Sequence, residues 1–343
     1  MRVKLGDVCE RGTSNLKLSD VSEKNGEFSV FGASGYIGSV DFYQQGYPYV
    51  AVVKDGAGIG RAMLCPGKTS VIGTMQYLLP KDNILPKYLF YVVKYMNLEK
   101  YFTGATIPHI YFKDYKNEEF NFDFWERQVE IVSVLSKCEK VIDLCKQELQ
   151  LLDKLIKARF VELFCDPVSN SYGLPEATLP DLGEFGRGVS KHRPRNDIKL
   201  LGGKYPLIQT GDVANAGLYI TSYSSTYSEL GLKQSKMWDK GTLCITIAAN
   251  IAKTAILEFD ACFPDSVVGF IANERTNNIF VHYWFSFFQA ILESQAPESA
   301  QKNINLKILS ELKVIVPEKR KQDQFASFVK LYNWGARSVN MEI

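Results

Sequence analysis

The chain has 343 residues, enough for two or three domains that each bury a core. With 46% hydrophobic and 23% charged residues, it is neither wholly disordered nor of low complexity. A formal net charge of +2 neither demands nor excludes a polyanionic partner, because a local basic face counts for more than a total.

In chain order, the opening MRVKLGDVCERG contains no apolar signal segment. The seven cysteines (Cys9, Cys65, Cys138, Cys145, Cys165, Cys244, Cys262) form no C-x-x-C pair and read as reduced, mostly buried thiols rather than a zinc site. The longest apolar run, residues 279–292, is too short to span a bilayer and carries His282 and Gln289, which predicts a core helix. These features predict a cytoplasmic, soluble protein.

Residues 52–64, VVKDGAGIGRAML, set Gly56, Gly58 and Gly60 between an apolar run and Arg61, as a phosphate- or cofactor-binding loop would. An internal repeat argues otherwise. KLGDVCERG (4–12) recurs as DLGEFGRG (181–188), FSVFGASG (28–35) as YPLIQTGD (205–212), and VAVVKDGAGIGRAMLC as LCITIAANIAKTAILE (243–258). The second copy of the loop, Ala248 to Lys253, has no glycine, and an anion cradle needs one for close backbone approach. Both copies keep strand, tight turn, basic residue (Arg61 or Lys253), strand, which predicts a β-hairpin. Each copy then carries one amphipathic helix (88–101; 280–293), a polar loop and a short strand ending near Phe122 or Val316. An α+β module of about 120 to 140 residues is therefore present twice, and the offset between copies drifts from about 177 to about 194 through insertions in the second.

From about Glu126 to Phe164 the chain lacks Gly and Pro, predicting a helix of roughly 58 Å. Its apolar positions step by four and three (Ile131, Leu135, Cys138, Ile142, Cys145, Leu149, Leu152, Ile156, then Leu163 after a polar lapse at Arg159), a heptad seam. Seven acidic and seven basic residues share the other faces. A shift of 194 lands the seam on Phe325, Val329 and Tyr332, and there Gly335 predicts an end after about four turns.

Two β-rich modules, each followed by a heptad helix beginning near an E-x-Q or K-x-x-Q step, resemble the specificity subunit of type I restriction–modification systems. The KLGDVCERG opening, the DGAGIGR hairpin, the TGATIPHI loop and the 124–164 helix carry the resemblance, which covers nearly the whole chain. It implies an α+β fold with two target-recognition domains (1–122 and 179–316) and a long spacer helix (123–165). A linker (166–178) and a shortened second helix with a tail (317–343) complete it. It also implies recognition of a split double-stranded DNA target and docking of methyltransferase subunits. S-adenosylmethionine and ATP belong to partner subunits, the latter to a restriction/translocase subunit. The resemblance further implies that the two helices pack antiparallel; the short second helix departs from that pattern, and self-association through the helices is another expected partner mode.

Reading DNA needs Arg, Lys and polar side chains at loop tips. The clearest patch is GRGVSKHRPRNDIKLLGGK (186–204), where Arg187, Lys191, Arg193, Arg195, Lys199 and Lys204 face one acid, Asp197. A milder counterpart holds Arg11, Lys17 and Lys24. Ser34 and Tyr36 are matched with Gln209 and Asp212, and Lys54 and Arg61 with Asn250 and Lys253. The loops carrying Thr103, Thr106 and His109, and Gln301 and Asn303, complete the candidates. No catalytic, cofactor-binding or metal-binding residue is expected. A self-contained DNA adenine methyltransferase would need an Asn/Asp-Pro-Pro-aromatic motif, and no Pro-Pro pair occurs. Glu118–Glu119 is the nearest approach to the clustered carboxylates of a nuclease. A coiled-coil scaffold without DNA specificity is the other alternative, and the basic loops and paired modules speak against it.

Overall fold

The computed structural model describes residues 1–21, 26–103, 108–248, 250–295 and 304–340, the last few of the final two stretches by backbone only. It divides into two compact units, Met1–Cys145 and Lys146–Ile343.

The first unit runs β1 (Arg2–Lys4), α1 (Leu5–Val8), β2 (Cys9–Thr13), β3 (Phe28–Gly32), β4 (Gly35–Val40), β5 (Tyr49–Val53), β6 (Ala62–Cys65), β7 (Ser70–Val71) and β8 (Met75–Pro80). Then come α2 (Pro86–Met96), α3 (Phe112–Tyr115) and β9 (Glu119–Asn121), and the unit ends within α4 (Trp125–Phe164). The strands form sheets ordered β2-β8-β5-β6, β4-β3-β7 and β1-β9. β5, YVAVV, is buried along its whole length, as expected of β-branched residues in a strand covered on both faces. Helix α2 starts on Pro86, whose fixed φ suits the first helical turn, and ends on Asn97 in the left-handed region. It packs Tyr88, Leu89 and Val93 into the core that contains Val50 and Val52.

The second unit begins within α4 and continues with β10 (Glu176–Ala177), α5 (Leu179–Leu182), β11 (Gly183–Arg187), β12 (Leu201–Leu207), α6 (Thr210–Asn215), β13 (Tyr219–Ile220), β14 (Ser225–Tyr227), α7 (Glu229–Lys233) and β15 (Met237–Trp238). β16 (Leu243–Thr246), β17 (Thr254–Leu257), β18 (Ala261–Cys262), β19 (Val267–Ala272), α8 (Asn278–Gln295), α9 (Leu306–Glu311), β20 (Val314–Ile315) and α10 (Lys319–Asn340) follow. Its sheets are β11-β19-β16-β17-β13, β14-β12-β18-β15 and β10-β20.

The strand orders match piece by piece: β2-β8-β5-β6 answers to β11-β19-β16-β17, and β4-β3-β7 to β14-β12-β18. Even the one parallel strand pairing of the small sheet recurs, with Val30↔Ser70 and Phe31↔Val71 in the first unit and Leu207↔Cys262 in the second. The insertions lie where the first unit turns tightly at the Gly32↔Gly35 pair. The second instead runs from the Leu207↔Ser225 pair through α6 and β13.

Each unit also ties the start of its long helix to its core by one fully buried glutamine. Gln128 Nε2 donates to Asn83 O and Asp123 O, both at 3.0 Å, and its Oε1 accepts from Leu85 N at 2.9 Å. Gln322 Nε2 donates to Arg275 O (3.0 Å) and Pro317 O (2.8 Å), and its Oε1 accepts from the Thr276 hydroxyl (2.9 Å).

α4 is one helix of 40 residues, about 60 Å long. Ile131 is half-buried on the first core, Leu152 half-buried and Ile156 buried in the second unit, while Leu135, Ile142 and Leu149 are 38%, 45% and 43% exposed. Cys138 is exposed too and Cys145 half-buried; Cys9, Cys65, Cys165, Cys244 and Cys262 are buried, so the thiols are mostly buried as expected. Toward its end α4 abandons the four-three seam for steps of four, Ile156, Phe160 and Phe164. A helix lying on a globular core keeps its own 3.6-residue period, whereas a strict heptad needs a supercoiled partner. Phe160 is the hub, with the rings of Phe164, Phe280, Phe287 and Phe325 at 5.0, 5.3, 5.1 and 5.4 Å. α10 buries Phe325 and Val329 fully and Tyr332 by half. It passes through Gly335 and does not stop there, since one helical glycine costs only about 1 kcal/mol.

Candidate nucleic-acid interface

The glycine loop is the end of the β5–β6 hairpin, and its glycine-free counterpart ends β16–β17 in the same geometry. Val53 N donates to Arg61 O (3.0 Å) and Gly60 N to Val53 O (2.9 Å); Thr246 N donates to Lys253 O (2.9 Å) and Ala252 N to Thr246 O (2.8 Å). Gly60 and Ala252 both sit in the left-handed region, at φ +79° and +56°. Ile59 and Ile251 plug the two loops into their cores. Each loop is clamped from outside by the same bond at 3.0 Å: Ile110 N to Lys54 O, and Ile304 N to Ile247 O.

This register corrects two sequence pairings. Arg61 does answer to Lys253, but Lys54 stands opposite Ile247, not Asn250, because the second loop is one residue shorter. Ser34 and Tyr36 lie at and beside the β3–β4 turn, whereas Gln209 and Asp212 open the inserted α6, so they are not counterparts. There Asp212 accepts from Gln209 N at 2.8 Å and from the Ser224 hydroxyl at 3.1 Å, a capping role.

In the first unit the structure joins Lys54, Thr103 and His109, but not Arg61, in one cluster around a residue outside the predicted set, Asp55. His109 Nδ1 is 2.7 Å from Asp55 Oδ1, and Lys54 Nζ is 3.3 Å from Asp55 Oδ2. Thr103 and His109 bond backbone to backbone in both directions, at 2.9 and 2.8 Å, and Gly56 N donates to Pro108 O at 3.0 Å. Arg61 folds back, its guanidinium donating to the carbonyls of Gly58 and Ala57 at 3.3 Å. Exposed Arg11, Lys17, Ser34 and Tyr36 do not bond to this cluster through their side chains. Thr106 lies outside the described residues.

In the second unit the loop 188–199 carries the basic patch, and it meets more acid than Asp197. Arg193 Nη2 lies 3.3 Å from Asp265 Oδ2, Arg195 pairs with the other Asp265 oxygen, and Lys204 lies 3.3 Å from Glu229. The expectation of a single opposing acid is thus corrected: Asp265 comes from the β18–β19 turn, about seventy residues away, beyond the reach of a local count. Asp197 is 3.2 Å from His192 Nε2, and the Lys199 amide, with His192, holds its carboxyl below the usual carboxylate range. Among the described residues, Arg187 and Lys191 are exposed cations with no side-chain partner. Asn250 is exposed and Lys253 half-buried. Gln301 and Asn303 lie outside the described residues.

Behind the second hairpin, His282 Nδ1 is 2.9 Å from the Thr254 hydroxyl. Its ring lines a cavity of roughly 340 Å³ with Asp153, Lys157, Lys253 and Tyr332. Burial lowers its pKa from 6.5 to about 4, despite an opposing pull from Asp153.

Paired modules of this geometry match a known family. The model of the type I restriction modification DNA specificity domain fits residues 1–154 and again 176–333. The chain belongs to that family. Among specificity-domain relatives, a putative type I restriction enzyme MjaX specificity subunit of Methanocaldococcus jannaschii is 22% identical over 289 residues, 79% of this chain and 68% of that protein. The type I restriction enzyme MjaIX specificity subunit of the same organism is 26% identical over 179 residues, 47% of this chain and 40% of that one. The solved type I restriction–modification S subunit from M. genitalium shares the specificity-subunit fold, with a TM-score of 0.61 at 17% identity over 100% of this chain and 91% of that one. The methyltransferase and scaffold alternatives gain no support from these similarities. Among the described residues no helix is long and apolar enough to cross a membrane, and no three His, Cys, Asp or Glu side chains gather as a metal-ligand group.

Proposed function

We propose that this chain is the sequence-reading subunit of a type I restriction–modification complex, and that each unit reads one half of a split double-stranded DNA target. The duplicated module carries the reading: two copies of one loop-bearing scaffold fit two half-sites, and their loops differ in charge and length as readers of different sequences must. Residues 1–122 and 179–316 are the reading domains, 123–165 and 317–343 the helical parts that set the gap and dock partners, and 166–178 a linker. The exposed apolar positions Leu135, Ile142 and Leu149 support docking of methyltransferase subunits, or of a second copy of this chain. The restriction/translocase subunit joins through the complex. The chain supplies no chemistry, S-adenosylmethionine and ATP stay on the partners, and the complex works in the cytoplasm. Phosphate contacts fall to the unpaired Arg187 and Lys191, with Arg11, Lys17 and Lys253. Base contacts fall to Ser34, Tyr36, His109, Gln209 and Asn250, and to Arg193 and Arg195 held in position by Asp265.

The test is co-purification with the neighbouring methyltransferase subunit, followed by sequencing of methylated sites. A split motif is expected, of which Arg193→Ala with Arg195→Ala relaxes one half only. A continuous motif, equal loss in both halves, or stoichiometric S-adenosylmethionine binding by the chain alone refutes the reading.

A further inference from the structure

We propose that Asp55 is a positioning residue that makes His109 a hydrogen-bond acceptor toward DNA, so that the first unit reads the exocyclic amine of one base through His109 Nε2. This rests on the DNA-reading function proposed above.

The imidazole is restrained by its neighbours. Backbone bonds to Thr103 hold its Cα, the Pro108–Gly56 and Ile110–Lys54 bonds pin the chain on either side, and the ring stacks on Tyr111 with centroids 6.3 Å apart and planes 24° apart. Asp55 is equally fixed, with Oδ1 on His109 Nδ1 at 2.7 Å and Oδ2 facing Lys54 Nζ at 3.3 Å. A lysine-paired carboxylate only accepts, so the 2.7 Å contact requires the proton on Nδ1. In the neutral ring Nε2 then carries a lone pair and no proton. No described residue bonds to Nε2, and the side chain is 37% exposed, on the clamp of a hairpin end.

An acceptor at that place suits one class of base edge. In the major groove adenine N6 and cytosine N4 offer N–H donors, whereas guanine O6 and thymine O4 offer only acceptors, and an acceptor facing an acceptor is disfavoured. A two-stranded ribbon such as this hairpin fits that groove. The second unit has Ile247 and Ala248 where the first has Lys54 and Asp55, so it lacks the device, and the discrimination belongs to one half-site. The repeat thus keeps the scaffold and varies the chemistry at its tip.

Two experiments test this. The chain has three histidines, so ¹⁵N-histidine labelling gives few ring signals. His109, assigned by loss of its signals in His109→Ala, is expected as the Nδ1–H tautomer in the wild type. Asp55→Asn, whose amide can either accept or donate, should yield a mixture. Finding the Nε2–H tautomer in the wild type overturns the proposal whatever the DNA does. In the complex with methyltransferase subunits, wild-type methylation should require an amine-bearing base at one position of the first half-site. Asp55→Asn and His109→Ala should each lower that preference about tenfold, the worth of one hydrogen bond, and leave the second half-site untouched. If both variants assemble and the first half-site stays unchanged, the proposal fails while the split-target reading stands; if the wild type gives no split motif, the reading beneath it has failed. Folding is controlled by assembly and by methylation at unaltered positions.

Discussion

Replacing Gln322 with Leu should destabilise the second unit by about 2–3 kcal/mol. The side chain is fully buried and makes three hydrogen bonds, to the carbonyls of Arg275 and Pro317 and the hydroxyl of Thr276. Leucine fills a similar volume but leaves all three groups without a partner, and each buried unsatisfied polar group costs about 1–3 kcal/mol. The low end for each gives about 3 kcal/mol, with some offset from the apolar side chain. That is a large share of the 5–15 kcal/mol that typically holds a domain together. Gln128→Leu should do the same to the first unit through Asn83, Asp123 and Leu85. Urea unfolding followed by hydrogen exchange, which reports on each unit separately, is the assay. A loss below about 1 kcal/mol, or equal loss of protection in both units from one substitution, would refute the account of these glutamines as local ties. In the assembled complex, Gln322→Leu should erode reading of the second half-site first.

The hairpin positions before the basic residue make opposite predictions. Gly60→Ala should cost about 1–3 kcal/mol, because a Cβ there would sit 2.5 Å from the Glu99 nitrogen and φ is +79°. Ala252→Gly, at φ +56°, should be neutral or stabilising by up to about 1 kcal/mol, read as urea midpoints. His282 makes stability depend on pH: its folded pKa of about 4 lies below 6.5, so between those values the unfolded chain holds the extra proton. The second unit should therefore lose about 1–2 kcal/mol as pH falls from 7.5 to 5, after discounting for water in the cavity, and nothing between 8 and 7.5. A His282→Asn variant that keeps the same slope would contradict this. Arg187→Ala should weaken binding to all DNA sequences alike and reduce the salt slope of log affinity by about 1, since an unpaired cation displaces counterions; a change in sequence preference would show base reading instead.

The repeat, the hairpin nature of the glycine loop and the long helix were legible in the sequence, because each is set by local pattern. Alternating β-branched runs specify strands, the glycine-free second copy removes the reason for an anion cradle, and a gap-free polar–apolar period specifies α4. Even the glutamine step stood out as Q at corresponding helix starts, although its three bonds did not. Pairing across long separations was not legible. Asp265 meets Arg193 and Arg195 from about seventy residues away, Asp55 meets His109 across fifty-four, and Phe160, not the heptad position near Arg159, faces α8 and α10. Those partners share no periodicity. Sheet order brings their loops together, and packing on a globular core decides which face of a helix is inward. The chain's own letters therefore determined that there are two like modules and a helix; which of their charges are free to meet DNA, and which are already taken, was decided only when the strands paired.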